Sequence, residues 1–246
     1  MISLGDRLSV IEGPVVRDLG MPFTTRMTVA QLRDGSLWIE SPVPVEYETL
    51  ARLRELGPVR HLVCQTPRHM WRLEEWHRLF PDAALWGCPP SPITVAHSRL
   101  PLAGTLGDRP NAAWADDFDQ VAIRGSVVVG NRRLLEEVWF LHRPSRTLIV
   151  GDIIQVHAQR PGRPLRNAFL RAAGIAGPEG GTSVDIRAAF WNRRALRASV
   201  ERVLDWDFDQ LVLAHGPILT SGAKPFVERA LAWALGSSVP RPRLGA

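Results

Sequence analysis

Three residues that can bind a metal ion each follow a short apolar run of the sequence. They are His69, Asp152 and His215. Imidazole and carboxylate groups are usual ligands of zinc, iron and manganese in proteins. If the fold brings the three side chains together, these residue types could bind a metal ion.

Each residue also has a purely structural interpretation. His69 would pack against the apolar residues of the helix that follows it, and Asp152 would cap the turn after its strand. His215 precedes a Gly-Pro pair and would hydrogen-bond a loop carbonyl. His157, five residues beyond Asp152, is a reserve ligand or cleft residue. Spacing along the chain does not decide between these alternatives, because no two of the three residues form a short motif.

The elements around these residues predict a mixed sheet arrangement with helices outside. The apolar runs at residues 60–65, 147–150 and 210–213 are predicted strands, so the three polar residues stand at strand carboxyl ends, where α/β proteins open their ligand sites. Hairpins alternate with strand–helix units, which excludes a single parallel doubly wound sheet. Further strands are predicted at residues 8–11, 27–32, 36–41, 84–88, 120–123, 126–129 and 137–142. Helices are predicted at residues 46–56, 165–173, 194–204 and 224–235, and a further helix follows the turn after residue 65 and ends at residue 80. Residues 89–110 are a predicted loop.

Composition indicates a globular cytoplasmic protein, and the length allows one α/β domain or two small ones. The 246 residues are 45% hydrophobic and 22% charged, and no apolar run approaches the roughly 18 residues of a membrane span. Of the cations only Lys224 is a lysine, and the arginines are spread along the chain, which argues against a nucleic-acid interface. Cys64 and Cys88 end apolar runs, which favours buried thiols. We expect one domain over residues 1–236 and a flexible tail over residues 237–246.

The order of elements and four segments resemble the metallo-β-lactamase superfamily over nearly the whole chain. The resemblance implies an α/β fold, an αββα four-layer sandwich with mixed sheets, and a metal site at one edge between the two sheets. It points to a poorly characterised branch of the superfamily. The segments that carry it are RMTVAQLRDGSLWIESPV (residues 26–43), FPDA (80–83), SRTLIVGD (145–152) and LAHGPILTSGAK (213–224).

The site motif that the resemblance implies is incomplete in this chain. The superfamily has His-x-His-x-Asp-His after the strand at residues 60–65, whereas this chain has TPRHMWR at residues 66–72. His69 takes the place of the second histidine. Pro67, Trp71 and Arg72 then occupy the other three ligand positions.

Two later ligands of the superfamily are matched and one is missing. Asp152 corresponds to the bridging aspartate and His215 to the last histidine, but the loop directly before the strand at residues 137–142 contains no histidine. The resemblance therefore implies at most one metal ion, on His69, Asp152 and His215, with a water activated by the metal as nucleophile. Two metals about 3.5–4 Å apart, as in dinuclear hydrolases, would lack their ligands.

Two functions follow from these observations. The first is a hydrolase-like protein with one zinc, iron or manganese ion that acts on a small ester, lactone or thioester, although no side chain is assigned as catalytic. The second is a non-catalytic protein without metal that binds a small-molecule ligand or a partner in the former cleft. In either case Trp71, Arg72, Trp76 and His157 would line the cleft. An Arg72–Asp152 ion pair is expected if no metal binds, and a homodimer is compatible with the resemblance.

Overall fold

The chain folds into two main β-sheets that pack face to face, with helices on both outer faces, and two small two-stranded sheets. A computed structural model describes residues 1–18, 21–88, 100–130 and 132–236. The predicted tail at residues 237–246 lies outside the described residues. The strands are β1 (Ile2–Ser3), β2 (Leu8–Glu12), β3 (Val16–Asp18), β4 (Met21–Phe23), β5 (Arg26–Gln31), β6 (Leu37–Glu40), β7 (Val59–Cys64), β8 (Ala84–Gly87), β9 (Leu102–Thr105), β10 (Phe118–Ile123), β11 (Val128–Val129), β12 (Arg132–Arg133), β13 (Glu137–His142), β14 (Thr147–Val150), β15 (Gln210–Leu213) and β16 (Ile218–Leu219).

The helices lie between these strands in sequence. A 3₁₀ segment (Pro67–Arg72) follows β7 and leads directly into α2. The α-helices are α1 (Tyr47–Leu56), α2 (Leu73–Leu79), α3 (Pro164–Ala173), α4 (Val184–Ala189), α5 (Arg193–Leu204), α6 (Ala223–Ala230) and α7 (Ala232–Leu235). Among the described helices, none is long and apolar enough to cross a membrane.

Both sheets are mixed. The first has the order β1-β2-β5-β6-β7-β8-β9, with β6, β7, β8 and β9 parallel. The second has the order β10-β13-β14-β15-β16, and β14 is parallel to β15. The carboxyl ends of β6 and β7, and those of β14 and β15, are thus aligned within their sheets, and the site residues follow these ends.

Three apolar layers hold the sandwich together, because successive strand residues point to opposite faces. Ile149 of β14 packs between the sheets, whereas its neighbours Leu148 and Val150 pack against the helices on the outer face. Trp38 and Phe118 belong to the layer between the sheets, with ring centroids 4.5 Å apart. A third layer joins the first sheet to α1 and α2. The αββα sandwich is the architecture that the sequence predicts.

Several details differ from the prediction. The segment predicted as loop contains β9, and residues 89–99 of it lie outside the described residues. The helix predicted at the C-terminus is divided between α6 and α7, since Leu231 leaves the helical conformation. Of the strand predicted at residues 126–129, only β11 forms. The thiols of Cys64 and Cys88 are free and buried, as predicted.

Candidate metal centre

His69, Asp152 and His215 come together at the edge between the two sheets. Their ligand atoms all lie within 4.8 Å of one another. His69 Nε2 is 3.3 Å and His215 Nε2 is 3.0 Å from the same carboxylate oxygen, Oδ1 of Asp152. The side chain of Asp152 is 6% exposed, and the imidazoles are 14% and 11% exposed. The three residues therefore form one buried cluster that is open to solvent on one side.

His215 is oriented by the backbone of a distant segment. It follows β15, and its Nδ1 lies 2.7 Å from the carbonyl oxygen of Thr24. A carbonyl oxygen only accepts, so Nδ1 carries a hydrogen and donates it. The next residue, Gly216, has φ +154°, and a Cβ there would lie 2.9 Å from Leu213 Cδ1. The turn that positions the imidazole consequently requires glycine.

His69 is oriented by a serine and a buried carboxylate. It lies in the 3₁₀ segment that begins at Pro67. Thr66 caps the start of this segment, because its side-chain oxygen accepts a hydrogen bond from the Arg68 amide. Its Nδ1 lies 2.9 Å from Ser41 Oγ. Ser41, directly after β6, donates its hydroxyl to Glu40 in a short hydrogen bond. His69 Nδ1 therefore donates to the serine oxygen, and Nε2 faces Asp152.

Asp152 is held by the carboxylate of Glu137. Oε1 of Glu137 accepts from the amide of Gly151 at 2.7 Å, and Oε2 accepts from the amides of Asp152 at 2.9 Å and Ile153 at 3.2 Å. The indole N–H of Trp139 also donates to Oε1. A Cβ on Gly151 would lie 2.8 Å from the Glu137 carboxyl carbon. A glycine at this position lets the two segments approach.

Burial and charge shift the pKa values in opposite directions across the cluster. Burial opposes the charged forms, but the pKa of Asp152 is lowered well below its usual value by His69 and His215. Burial also works against protonation of His69, yet its pKa is raised, chiefly by Asp152. Burial raises the pKa of Glu137 and of Glu40 to about 7. The cluster therefore combines three buried carboxyl groups with two imidazoles and favours positive charge at its centre.

The cluster fits a divalent metal ion. The two short Nε2–Oδ1 distances are near the roughly 3.4 Å edge of a tetrahedron with bonds of about 2.1 Å. Oδ2 of Asp152 is buried and has no hydrogen-bond partner among the described residues. Each imidazole uses Nδ1 for an outer hydrogen bond, which is how histidine ligands are usually oriented.

A pocket opens above the two histidines. It encloses about 380 Å³, including the solvent at its mouth, and its lining includes His69 and His215. Arg72 also lines this pocket. The side chain of Trp71 lies outside the described part of the structure.

Two predicted cleft residues and one predicted ion pair are placed elsewhere. Trp76 is 1% exposed in the core, and its indole donates to the carbonyl of Val43. His157 is buried and hydrogen-bonded to Gln155, and it contacts the Phe23 ring rather than the metal cluster. The Arg72–Asp152 ion pair expected without metal is not formed among the described residues, where Oδ1 of Asp152 contacts the two imidazoles instead.

Arg72 has a nearer carboxylate. Its Nη1 donates to Glu75 Oε2 at 2.7 Å, one helical turn away along α2. The i, i+3 spacing on a helix brings such pairs together without tertiary constraint.

Sequence reasoning missed the residues that orient the ligands. Glu40 and Glu137 stand at the end and start of apolar strands, where a single glutamate resembles a solvent-facing strand terminus. Ser41 has φ +51°, a conformation that is rare for residues other than glycine. The sequence could have indicated these residues only through a single carboxylate at the end of an apolar strand, and such a pattern is too common to identify a site.

Comparisons with known proteins agree with the αββα fold. Three solved structures illustrate the likeness: the metallo-β-lactamase from Pontibacter korlensis (10% identity, 94% of this chain and 96% of that chain, TM-score 0.61), the metallo-β-lactamase from Hirschia baltica (13%, 99% and 98%, TM-score 0.60), and a putative diflavin flavoprotein fragment from Nostoc sp. PCC 7120 (12%, 94% and 94%, TM-score 0.57). At these identities the likeness establishes the fold. The protein therefore has the metallo-β-lactamase fold, as the sequence resemblance implied.

The family can be stated more narrowly. A sequence-family model described as a domain of unknown function, DUF4336, matches residues 18–168. That match spans more than half of the chain, and the chain belongs to this family. No curated protein matches the chain.

Proposed function

We propose that the protein is a metal-dependent hydrolase that uses one divalent ion held by His69, Asp152 and His215. The contact between His215 Nε2 and Asp152 Oδ1, at 3.0 Å, carries the proposal. Since Nδ1 of His215 already donates to the Thr24 carbonyl, a neutral His215 directs the lone pair of Nε2 at a carboxylate oxygen. Two acceptors at this distance need a positive charge between or on them. A metal ion provides that charge.

The same requirement applies at His69. Its Nδ1 donates to Ser41, so its Nε2 also directs a lone pair at Asp152 Oδ1 in the neutral ring. Two protons on the imidazoles would satisfy the cluster without metal, and this is the arrangement that the non-catalytic alternative requires. The buried Oδ2 of Asp152 has no hydrogen-bond partner among the described residues, and protonation of the rings would leave it so, which favours an ion.

The residues present would perform distinct parts of a hydrolytic reaction. When bound, a divalent ion would supply Lewis-acid polarisation of a substrate carbonyl group. His69 and His215 would bind it, and Glu137 would hold Asp152 in place. The apolar part of the pocket would bind the substrate and exclude bulk water. By analogy with the fold, the substrate would be a small ester, lactone or thioester.

Metal analysis of protein purified without chelator tests this proposal. We expect about one equivalent of zinc, iron or manganese, and a fall in melting temperature after chelation. An ion at 100 times its dissociation constant stabilises the native state by about 2.7 kcal/mol. His215→Ala and Asp152→Asn should lose the metal and the hydrolysis of a panel of esters and lactones.

A matched control separates metal loss from general damage. His77 lies on α2 outside the metal cluster, so His77→Ala should keep both metal and activity. Metal-free protein that gains no thermal stability from any of the three ions would contradict the proposal. In that case the non-catalytic ligand-binding alternative would stand.

A further inference from the structure

We propose that Arg26 binds a carboxylate group of the substrate in the pocket above His69 and His215. The inference rests on the proposed function for the reaction, but the binding site itself does not depend on a metal. It assigns the substrate class as a carboxylate-bearing ester, lactone or thioester. Arg26 lines the pocket together with Ser41, Arg72 and the two histidines.

Arg26 is a buried cation with donors left over. Its side chain is 5% exposed. Nη2 donates to Glu12 Oε1 at 2.8 Å and to the carbonyl of Gly216 at 2.6 Å. Nε and Nη1 are buried and have no hydrogen-bond partner among the described residues. A guanidinium has five N–H donors, so three of those on Arg26 have no acceptor among the described residues.

Burial of such a group is costly unless an anion compensates it. Desolvation lowers the pKa of Arg26, and the neighbouring Glu12 only partly opposes this. Glu12 is itself 44% exposed, so water screens its charge. A polar group that is buried without partners is destabilising unless a ligand or a water molecule satisfies it. An anionic ligand in the pocket would satisfy Arg26.

The position of Arg26 places the anion close to the reaction site. Its Nη2 contacts the carbonyl of Gly216, the residue next to His215. A carboxylate bound here would lie a few bonds from a carbonyl group held at the cluster. The scissile bond and the anionic group would then belong to one small molecule.

The pocket lining favours a carboxylate over a phosphate. Its remaining residues include Val16, Pro42 and Pro44, which suit a hydrocarbon body rather than a highly hydrated dianion. Arg72 is a second cation of the lining, but Glu75 accepts from its Nη1. A phosphate dianion normally recruits several charged or backbone donors, whereas a carboxylate can be satisfied by one guanidinium.

Binding of glutarate, a small dicarboxylate, to the whole protein tests the inference. Titration calorimetry would compare glutarate with glutaramide, its neutral analogue, and with inorganic phosphate, with and without chelator. We expect wild type to bind glutarate more tightly than either comparison compound. Arg26→Met should weaken glutarate binding by about 10- to 100-fold, the effect of losing a hydrogen-bonded charge pair.

A second variant, expected to bind glutarate more tightly, keeps the test informative even if Arg26→Met does not fold. Glu12→Gln removes the competing carboxylate from Arg26 at a half-exposed position, so glutarate binding should become several-fold tighter. The inference would be overturned if wild type and Arg26→Met bound glutarate with equal affinity. It would also be overturned if wild type bound glutaramide as tightly as glutarate. Failure of wild type to bind glutarate, or tighter binding of phosphate, would also overturn it.

The proposed function and this inference can fail separately. Metal-free protein whose glutarate binding depends on Arg26 would keep the anion site and refute the metal site. Protein that holds one metal ion but whose glutarate binding is unchanged in Arg26→Met would support the metal site and refute the anion site.

Discussion

The carboxylate of Glu137 is the group whose loss should disturb the metal centre most without touching a ligand. It accepts hydrogen bonds from the amides of Gly151, Asp152 and Ile153 and from the indole of Trp139. Glu137→Gln keeps the shape of the side chain but replaces one acceptor oxygen with an NH₂ group. The amide oxygen of the glutamine can serve Gly151 and Trp139. The NH₂ group would then face the two remaining N–H donors.

The expected cost follows from that count. Two buried amides that lose their acceptor cost about 1–3 kcal/mol each, or roughly 2–6 kcal/mol together. Part of this is offset because burial and Asp152 raise the pKa of Glu137 to about 7, so the wild-type charge is itself poorly tolerated. We expect a net loss of about 3 kcal/mol, which corresponds to a fall in melting temperature of about 6–12 °C for a chain of this size.

Chemical denaturation and metal titration of the same variant provide the measurement. Glu136→Gln is the matched control, since Glu136 is adjacent, equally buried and paired with Arg124 at 3.0 Å. Its arginine partners remain about one third exposed, so this control should cost about 1 kcal/mol or less. Glu137→Gln should also weaken metal binding by about 10- to 100-fold, whereas the control should not. Equal stability losses in the two variants would refute the assigned role of Glu137.

Three further predictions concern single positions. Ser41→Ala and Ser41→Gly both remove the hydroxyl that orients His69 and should weaken metal binding alike by about 10-fold or more, but calorimetry should find the glycine variant about 1 kcal/mol more stable, because φ is +51°. Gly151→Ala, whose Cβ would lie 2.8 Å from the Glu137 carboxyl carbon, should lower the unfolding free energy by about 1–3 kcal/mol in urea. Burial lowers the pKa of His142 to about 4 from an ordinary 6.5, so the unfolded chain takes up the proton first as the pH falls. The contribution of His142 to the unfolding free energy is therefore fully present above about pH 6.5 and is reduced by about 3 kcal/mol at pH 4. His142→Phe should make the unfolding free energy in urea depend less steeply on pH, and an unchanged dependence would count against this assignment.

The strands that carry the site were predictable because their apolar runs are short, continuous and bounded by polar residues. β14 and β15 have the predicted limits, and β7 is displaced by one residue. β9 was not predicted, because its residues LAGT are partly exposed and carry no strand pattern. Local sequence thus predicts buried strands and fails at partly exposed sheet edges.

The proposed ligands could be predicted from the sequence, whereas the residues around them could not. The resemblance brought His69, Asp152 and His215 together by analogy with a known site. Glu137 could not be found like this, because its role depends on the register of β13 beside β14, which brings its carboxylate to the amides after β14. Arg26 was missed because its burial, which leaves donors without partners among the described residues, is not visible in the sequence.

The charge of the pocket is consistent with the proposal that a site with so few family ligands would hold one ion and not two. Asp152 and two imidazoles provide one set of ligands, and the carboxylates of Glu40 and Glu137 are occupied by hydrogen bonds. Beyond the cluster, the charged groups of the pocket lining are Arg26 and Arg72. Fixed guanidinium charges repel a second divalent ion at short range, most strongly where water is excluded. They attract an anion for the same reason. Positive charge on the substrate side of the cluster is thus supplied by arginine side chains, and this makes a single ion and a carboxylate-bearing substrate mutually consistent.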